Sequence, residues 1–426
     1  MNRRHFLKTS GMSATALALN PLPSLQSLLA ASNVSVPEIT ITGIKIHNVR
    51  MTPPEPLGYG AANNTNGITR LGGSIVELST DAGITGWGEG RWGSDILRAN
   101  PELVIGRSPF EVEAIFDELT ERESVAYHRM PRNAPSQGGL DTALWDLVGK
   151  AAGKPISQIL GKQYRDRVMP YASAGYRKPS WENDILKGYA DEYSRCVNEM
   201  GFRAAKIKTG FGPTEDVQIV AAVREAIGDE IHLGIDSGTP GAYDDGTAIM
   251  LGRQLEGFNL EFWEEPINKW DIEGYQRLQN ALRIPLASGE FLPVDWTIEN
   301  YVNKKVVDIV QPDIIDCGLT GGRRILHACT INRVRLVPHT WGGPIRNVAS
   351  MHWVATIPPL SISLHQPPAL FELHLPEESP VWGMTTEPVV VDKSDGQIAV
   401  PTGPGLGIEI NRDELERHRE NLITIS

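Results

Sequence analysis

Lys206, Lys208, Asp236, Glu264, Glu290, Asp313 and His339 stand at the ends of apolar runs that recur at one spacing. AAKIKTG holds the two lysines, IHLGIDSG carries Asp236 and LEFWEEP carries Glu264. IPLASGE ends on Glu290, VVDIVQPD on Asp313 and RVRLVPHT carries His339. From Lys208 onward the gaps are 28, 28, 26, 23 and 26 residues. One strand, one helix and two short loops need a segment of about this size. Repeated, such units close into a TIM-type (β/α)7–8 barrel, whose strand C-termini meet at one mouth. The expected fold class is therefore α/β: such a barrel with an α+β capping domain built from the N-terminal region and the C-terminal tail.

Asp236, Glu264 and Glu290 are hard oxygen donors on three consecutive strands, a set that suits Mg²⁺ with places left for water and substrate oxygens. A single acid at a strand end is more often a helix N-cap or a surface charge, but three in succession argue for a ligand set. Glu264 is the inward member of the Glu264–Glu265 pair, because adjacent strand residues face opposite ways. Lys206 and Lys208 lie two apart and share a face. As a buried like-charge pair they predict a lowered ammonium pKa, and so a base near neutral pH. Asp313 lies one strand before His339, in reach to orient its imidazole and raise its basicity. A lysine and a histidine on opposite sides of a metal-bound carboxylate substrate could move an α-proton through an enediolate.

These groups need elements to hold them. Between Pro37 and about Gly90, ITITGIKIHNVRM and GGSIVELST alternate in the period of strands, separated by a long Pro/Gly/Asn-rich segment. SPFEVEAIFDELTERES and GGLDTALWDLVGKAAGKPISQILG follow with helical spacing. The capping domain is expected over 37–165 and the barrel over 166–375, beginning at RVMPYASAG. Its last strand is either LSISLHQ or the nearby ALFEL. A tail over 376–426, with short strands in EPVVVD and GQIAVP, should pack back on cap and barrel.

The 426 residues carry a net charge of −12, which argues against nucleic acid or an anionic membrane surface as partner. No apolar stretch after the amino terminus approaches the roughly 20 residues of a membrane span. Residues 1–32, with Arg3-Arg4, Phe6-Leu7-Lys8 and a weakly apolar run, resemble a twin-arginine export signal and predict a periplasmic or otherwise exported protein. Cys196, Cys317 and Cys329 lack the spacing of a disulfide framework or a zinc site. They read as buried thiols, with a Cys317–Cys329 bridge as the alternative.

Taken together, the KIK pair, Asp236 in GIDSG, Glu264 in EEP, Glu290 in SGE, Asp313 in QPD and His339 in PHTWG resemble the mandelate racemase subgroup of the enolase superfamily. DTALWDLVGKAAGKPISQILG is similar to the helical part of that family's capping domain. The resemblance implies Asp236, Glu264 and Glu290 as Mg²⁺ ligands, Lys208 as a base beside Lys206, and a His339–Asp313 dyad. It implies a further acid at the last strand, for which Glu372 in LFEL is the match, with a surface acid as the other reading. Family specificity resides in loops of the cap, here Tyr59, Asn63, Asn64 and the segment His128–Asn133, with Trp341 in HTWGG beside the histidine. Arg129 or Arg132 is either the ligand of a distal carboxylate or a solvated arginine. The implied activity is dehydration of a sugar acid, an aldonate or aldarate, by a homo-oligomer. The alternatives are a racemase, epimerase or cycloisomerase of sugar acids or their lactones, and a non-catalytic sugar-acid binding protein.

Overall fold

The computed structural model describes residues 37–58, 67–126, 137–238, 241–359, 368–378 and 382–426. The export segment, Tyr59, Asn63, Asn64, Arg129, Arg132 and the whole of LSISLHQ lie outside the described residues.

Strands β1 (Ile41–Met51), β2 (Leu71–Thr80) and β3 (Thr85–Glu89) form the expected antiparallel cap sheet. Along β1 the apolar positions Ile41, Ile44, Ile46 and Val49 are buried, and a register shift between Ile41 and Gly43 absorbs the odd spacing. The sheet packs on the helix Gly138–Ala152, buried from Gly138 through Gly149. That approach needs glycine: a Cβ on Gly88 would lie 1.9 Å from the carbonyl oxygen of Gly139. The two aspartates of DTALWD act as ties. Asp141 accepts hydrogen bonds from Thr320 N–H (2.9 Å) and Oγ1 (2.6 Å). Asp146 accepts from the amides of Trp87 (2.9 Å) and Leu406 (2.8 Å).

Eight parallel strands follow: β4 (Arg167–Ala174), β5 (Ala204–Lys208), β6 (His232–Asp236), β7 (Leu260–Glu264), β8 (Leu286–Ser288), β9 (Ile309–Val310), β10 (Arg335–Leu336) and β11 (Leu370–His374). The sheet curls in the order β10-β9-β8-β7-β6-β5-β4-β11, with helices in the connections. The last strand is thus ALFEL extended to His374. Among the described residues no ladder joins β10 to β11. Several of the helices start on side-chain caps: Asp184 accepts from Lys187 N–H (3.0 Å), Asp244 from Thr247 N–H (3.0 Å) and Asp271 from Gly274 N–H (2.8 Å). Each such cap contributes about 1 kcal/mol. Tyr189, Tyr193 and Cys196, at helical spacing, bury one face of the first barrel helix. Inside the barrel Tyr171, Ala204, Phe262, Ala287, Ile309, Val337 and Leu370 form an apolar plug.

In the tail β12 (Ile398–Ala399) pairs antiparallel with β4, and β13 (Arg419–Ile425) adds a fourth strand to the cap sheet beside β1. EPVVVD forms no strand ladder, a departure from its expected strand, and only Asp392 makes an isolated bridge, to Gln397. All three cysteines are buried and free, so the Cys317–Cys329 bridge is not formed.

His352 carries a stability consequence. Its Nδ1 accepts from Ser157 N–H (3.3 Å) and its Nε2–H donates to the Leu406 carbonyl (3.0 Å), a pattern only the neutral ring satisfies. Burial pushes its pKa down to about 4. The unfolded chain, with an ordinary histidine near 6.5, therefore binds more protons between those values, and stability falls as pH falls from 6.5 toward 4. The shift corresponds to about 3 kcal/mol. Urea unfolding measured across this range should show a steeper acid loss for the wild type than for His352→Gln; parallel profiles would exclude the effect.

Candidate active site

Strand register brings the ring together. Lys208 lies opposite Asp236, and Asp236 opposite Glu264, across β5, β6 and β7. Asp313 and His339 form a parallel bridge just past β9 and β10. Lys206, Lys208, Asp236, Glu264, Glu290, Asp313, His339 and Glu372 are all buried at the C-terminal mouth.

Their contacts form one continuous network. Lys208 Nζ lies 2.6 Å from Asp236 Oδ2. Lys206 Nζ reaches Glu264 Oε2 (2.8 Å), Glu372 Oε1 (2.9 Å) and Asp236 Oδ2 (3.3 Å). His339 Nδ1 bonds Asp313 Oδ2 at 2.5 Å, and its Nε2 lies 2.8 Å from Glu290 Oε2 and 3.4 Å from Glu372 Oε2. Asp313 also accepts from Ile315 N–H (2.8 Å), so it caps its helix as well as holding the imidazole. Arg346 makes a further ion pair with Asp313.

The electrostatics follow the carboxylates. Burial works against charge on Lys206, but Glu264 and Glu372 outweigh it and raise its pKa well above the ordinary value. Lys206 is thus not the lysine of the pair whose pKa is lowered, because three acids surround it. On His339 burial likewise opposes charge, and Glu372, Glu290 and Asp313 overcome it, raising the pKa well above 6.5. Glu264 is pushed up to about 7 by burial and by Asp236.

Among the described residues no three His, Cys, Asp or Glu side chains close on one point as a metal cage. Asp236, Glu264 and Glu290 lean instead on Lys206, Lys208 and His339. The donor set nevertheless fits a hard divalent cation: three buried carboxylates from adjacent strands, one of them costly to ionise without added positive charge.

Several residues here gave no signal in the sequence spacing. Lys269, in the loop after β7, is buried against Glu265 Oε1 (2.9 Å) and donates to the Glu290 carbonyl (2.9 Å). Glu265 and Phe291, each directly after one of the acids, have positive φ of 46° and 55°. The left-handed conformation at Glu265 turns the chain just past β7, and both neighbouring glutamates are buried there. Gln311 Nε2 donates to Glu264 Oε2 (2.9 Å). His374 is buried two residues beyond Glu372, its Nε2 3.4 Å from Tyr176 Oη. Glu89 reaches from the cap to accept from the amides of Gly343 and Arg346 (3.2 Å for the latter). Trp341 lines a cavity of about 410 Å³ beside His339.

A curled parallel sheet with a mouth of this kind, under an antiparallel cap, defines a class. Residues 188–414 match the family described as enolase C-terminal domain-like. Residues 68–161 match the N-terminal domain of mandelate racemase / muconate lactonizing enzyme. The chain belongs to the mandelate racemase subgroup of the enolase superfamily, and is an enzyme of lyase or isomerase type.

Among its relatives is the D-galactarolactone cycloisomerase of Agrobacterium fabrum, 33% identical over 357 residues, which cover 81% of this chain and 90% of that protein. The D-galactonate dehydratase of Xanthomonas oryzae pv. oryzae is 31% identical over 379 residues, covering 82% of this chain and 91% of the relative. L-talarate/galactarate dehydratase from Salmonella typhimurium LT2, solved with Mg and L-lyxarohydroxamate, superposes with a TM-score of 0.75. It is 25% identical, covering 97% of this chain and 99% of that one.

Proposed function

We propose that this enzyme dehydrates a sugar acid, an aldonate or aldarate, in a Mg²⁺-dependent reaction. The observation that carries the reading is the placement of two proton-bearing groups on opposite arms of one carboxylate ring. Lys208 contacts Asp236, and His339 contacts Glu290. Asp236, Glu264 and Glu290 would hold the Mg²⁺, which supplies charge stabilisation to a substrate carboxylate as its α-carbon loses a proton.

Lys208 Nζ or His339 Nε2 takes the α-proton, and the other group, protonated, gives a proton to the β-hydroxyl as its C–O bond breaks. Water leaves, and the enol that remains tautomerises to the keto acid. Asp313 holds His339 by Nδ1, leaving Nε2 toward the mouth. Glu372 and Lys206 fix each other at the closed end of the ring. The apolar plug below excludes water from the same side.

A second reading, a cycloisomerase of sugar acids or their lactones, uses the same groups and is favoured by the resemblance to the D-galactarolactone enzyme. Incubation of the Mg²⁺-loaded protein with a sugar-acid panel in D₂O separates the two. Loss of one water supports the dehydratase, whereas deuterium gain at the α-carbon with no change of formula supports the isomerase. No reaction with any sugar acid or lactone would sink both.

The metal assignment makes Lys269 a positioning residue, because it links Glu265, the residue after one ligand, to the backbone carbonyl of another, Glu290. Lys269→Met should lower Mg²⁺ affinity about 10–100-fold by calorimetry, and an unchanged affinity would remove that role. Export through the twin-arginine-type segment rests on Arg3-Arg4 and Phe6-Leu7-Lys8. Recovery of the full-length chain only from the cytoplasm of its own cells would overturn it. A homo-oligomer is the accompanying expectation, which light scattering of the purified protein checks.

A further inference from the structure

The cavity of about 410 Å³ opens on the His339 side of the ring, between cap and barrel. Trp341 Nε1 and Arg346 Nε, without partners among the described residues, are shut off from it. Arg91, from the cap, reaches Asp316 Oδ1 with its Nε at 3.3 Å, and its side chain stays 42% exposed. Asp316 is its ion-pair partner among the described residues.

The other charges in this wall are committed. Glu89 is bonded to the amides of Gly343 and Arg346. Arg346 is bonded to Asp313 and to the Trp341 carbonyl. Arg91 is also held in place. Its backbone carbonyl accepts from Gly139 (2.8 Å) and Leu140 (3.2 Å) at the start of the buried cap helix, and its guanidinium lies 5.8 Å from the Phe291 ring. The same ring is 6.2 Å from the His339 imidazole. One aromatic ring therefore separates the proton-transfer group from a fixed, available guanidinium.

A guanidinium exposed in this wall, one ring away from the proton-transfer group, suits a ligand that carries negative charge. We infer that Arg91 binds a second carboxylate at the far end of the substrate, so that the natural substrate is a diacid sugar rather than a monoacid. The inference rests on the sugar-acid reading and narrows it.

The test uses configuration-matched pairs, galactarate with galactonate and glucarate with gluconate, on the Mg²⁺-loaded enzyme. Specificity constants are compared, with calorimetric dissociation constants wherever one member is not turned over. The wild type should prefer the diacid of the pair it accepts. Arg91→Met should lower the diacid-to-monoacid ratio about 100-fold, through KM more than kcat, and Arg91→Lys should recover part of it. A ratio unchanged in Arg91→Met, or a fall shared equally by both members, would assign Arg91 to the Asp316 contact alone and overturn the proposal. A wild type that prefers monoacids would overturn it too, leaving the sugar-acid reading intact. Neither binding nor turnover of any acid would remove both together.

Discussion

His339→Asn is expected to lower kcat about 10²–10⁴-fold while substrate affinity stays within a few-fold. Asparagine keeps a polar group near Glu290 but can neither take nor give the proton. Lys208→Ala should cost turnover on the same scale, because the strand register sets its ammonium against Asp236, while Lys206 beside it is tied to Glu264 and Glu372. The pair also identifies the base. The variant that keeps α-proton exchange in D₂O, though it has lost water elimination, retains the group that removes the proton. Stopped-flow turnover and proton NMR read both quantities. Full activity in both variants would remove the two-group mechanism.

Glu290→Gln is expected to lower Mg²⁺ affinity by more than about 100-fold, beyond the effect of removing an outer-shell partner, and turnover should vanish with it. The amide is nearly isosteric but carries no charge, so a structural explanation would show as a fall in Tm instead. Glu290 is set apart from the other two ligands by its partners, His339 and Lys269, on the far side of the ring from Lys208. Its loss leaves His339 Nε2 with Glu372 alone, at 3.4 Å. Calorimetry with Mg²⁺ decides the matter, and wild-type affinity in Glu290→Gln would sink the ligand assignment.

The barrel was legible because each of its units is built alike. Strands of two to eight residues and one helix per turn of the ring repeat at nearly constant length, and that regularity puts Lys208, Asp236 and Glu264 at matching heights. Glu372 was harder to place because the last unit is longer, with the helix Pro344–Ala355 and a further segment before β11. Its burial and its bonds to Ser173 (2.6 Å) and Lys206 come from tertiary closure, which local pattern does not carry. Lys269 escaped notice because it sits in a loop, outside the strand period. The charge state of Lys206 was not legible: sequence shows its neighbour Lys208 but not the acids that fold around it. Arg91, one residue after Gly90 in a short loop, looks like any solvated arginine until the fold sets it in the cavity wall beside Phe291.

One joint in the ring is made differently from the rest. Strands β10 and β11 share no ladder among the described residues; instead the Thr340 amide donates to Glu372 Oε2 at 2.9 Å. The same carboxylate faces His339 and Lys206. The clasp at this joint is thus one of the groups that the family resemblance assigns to the site. Any ligand that draws Glu372 toward itself loosens the clasp, and any change that tightens the clasp withholds Glu372 from the ligand. In this enzyme firmness of the frame and readiness of the site compete for a single side chain.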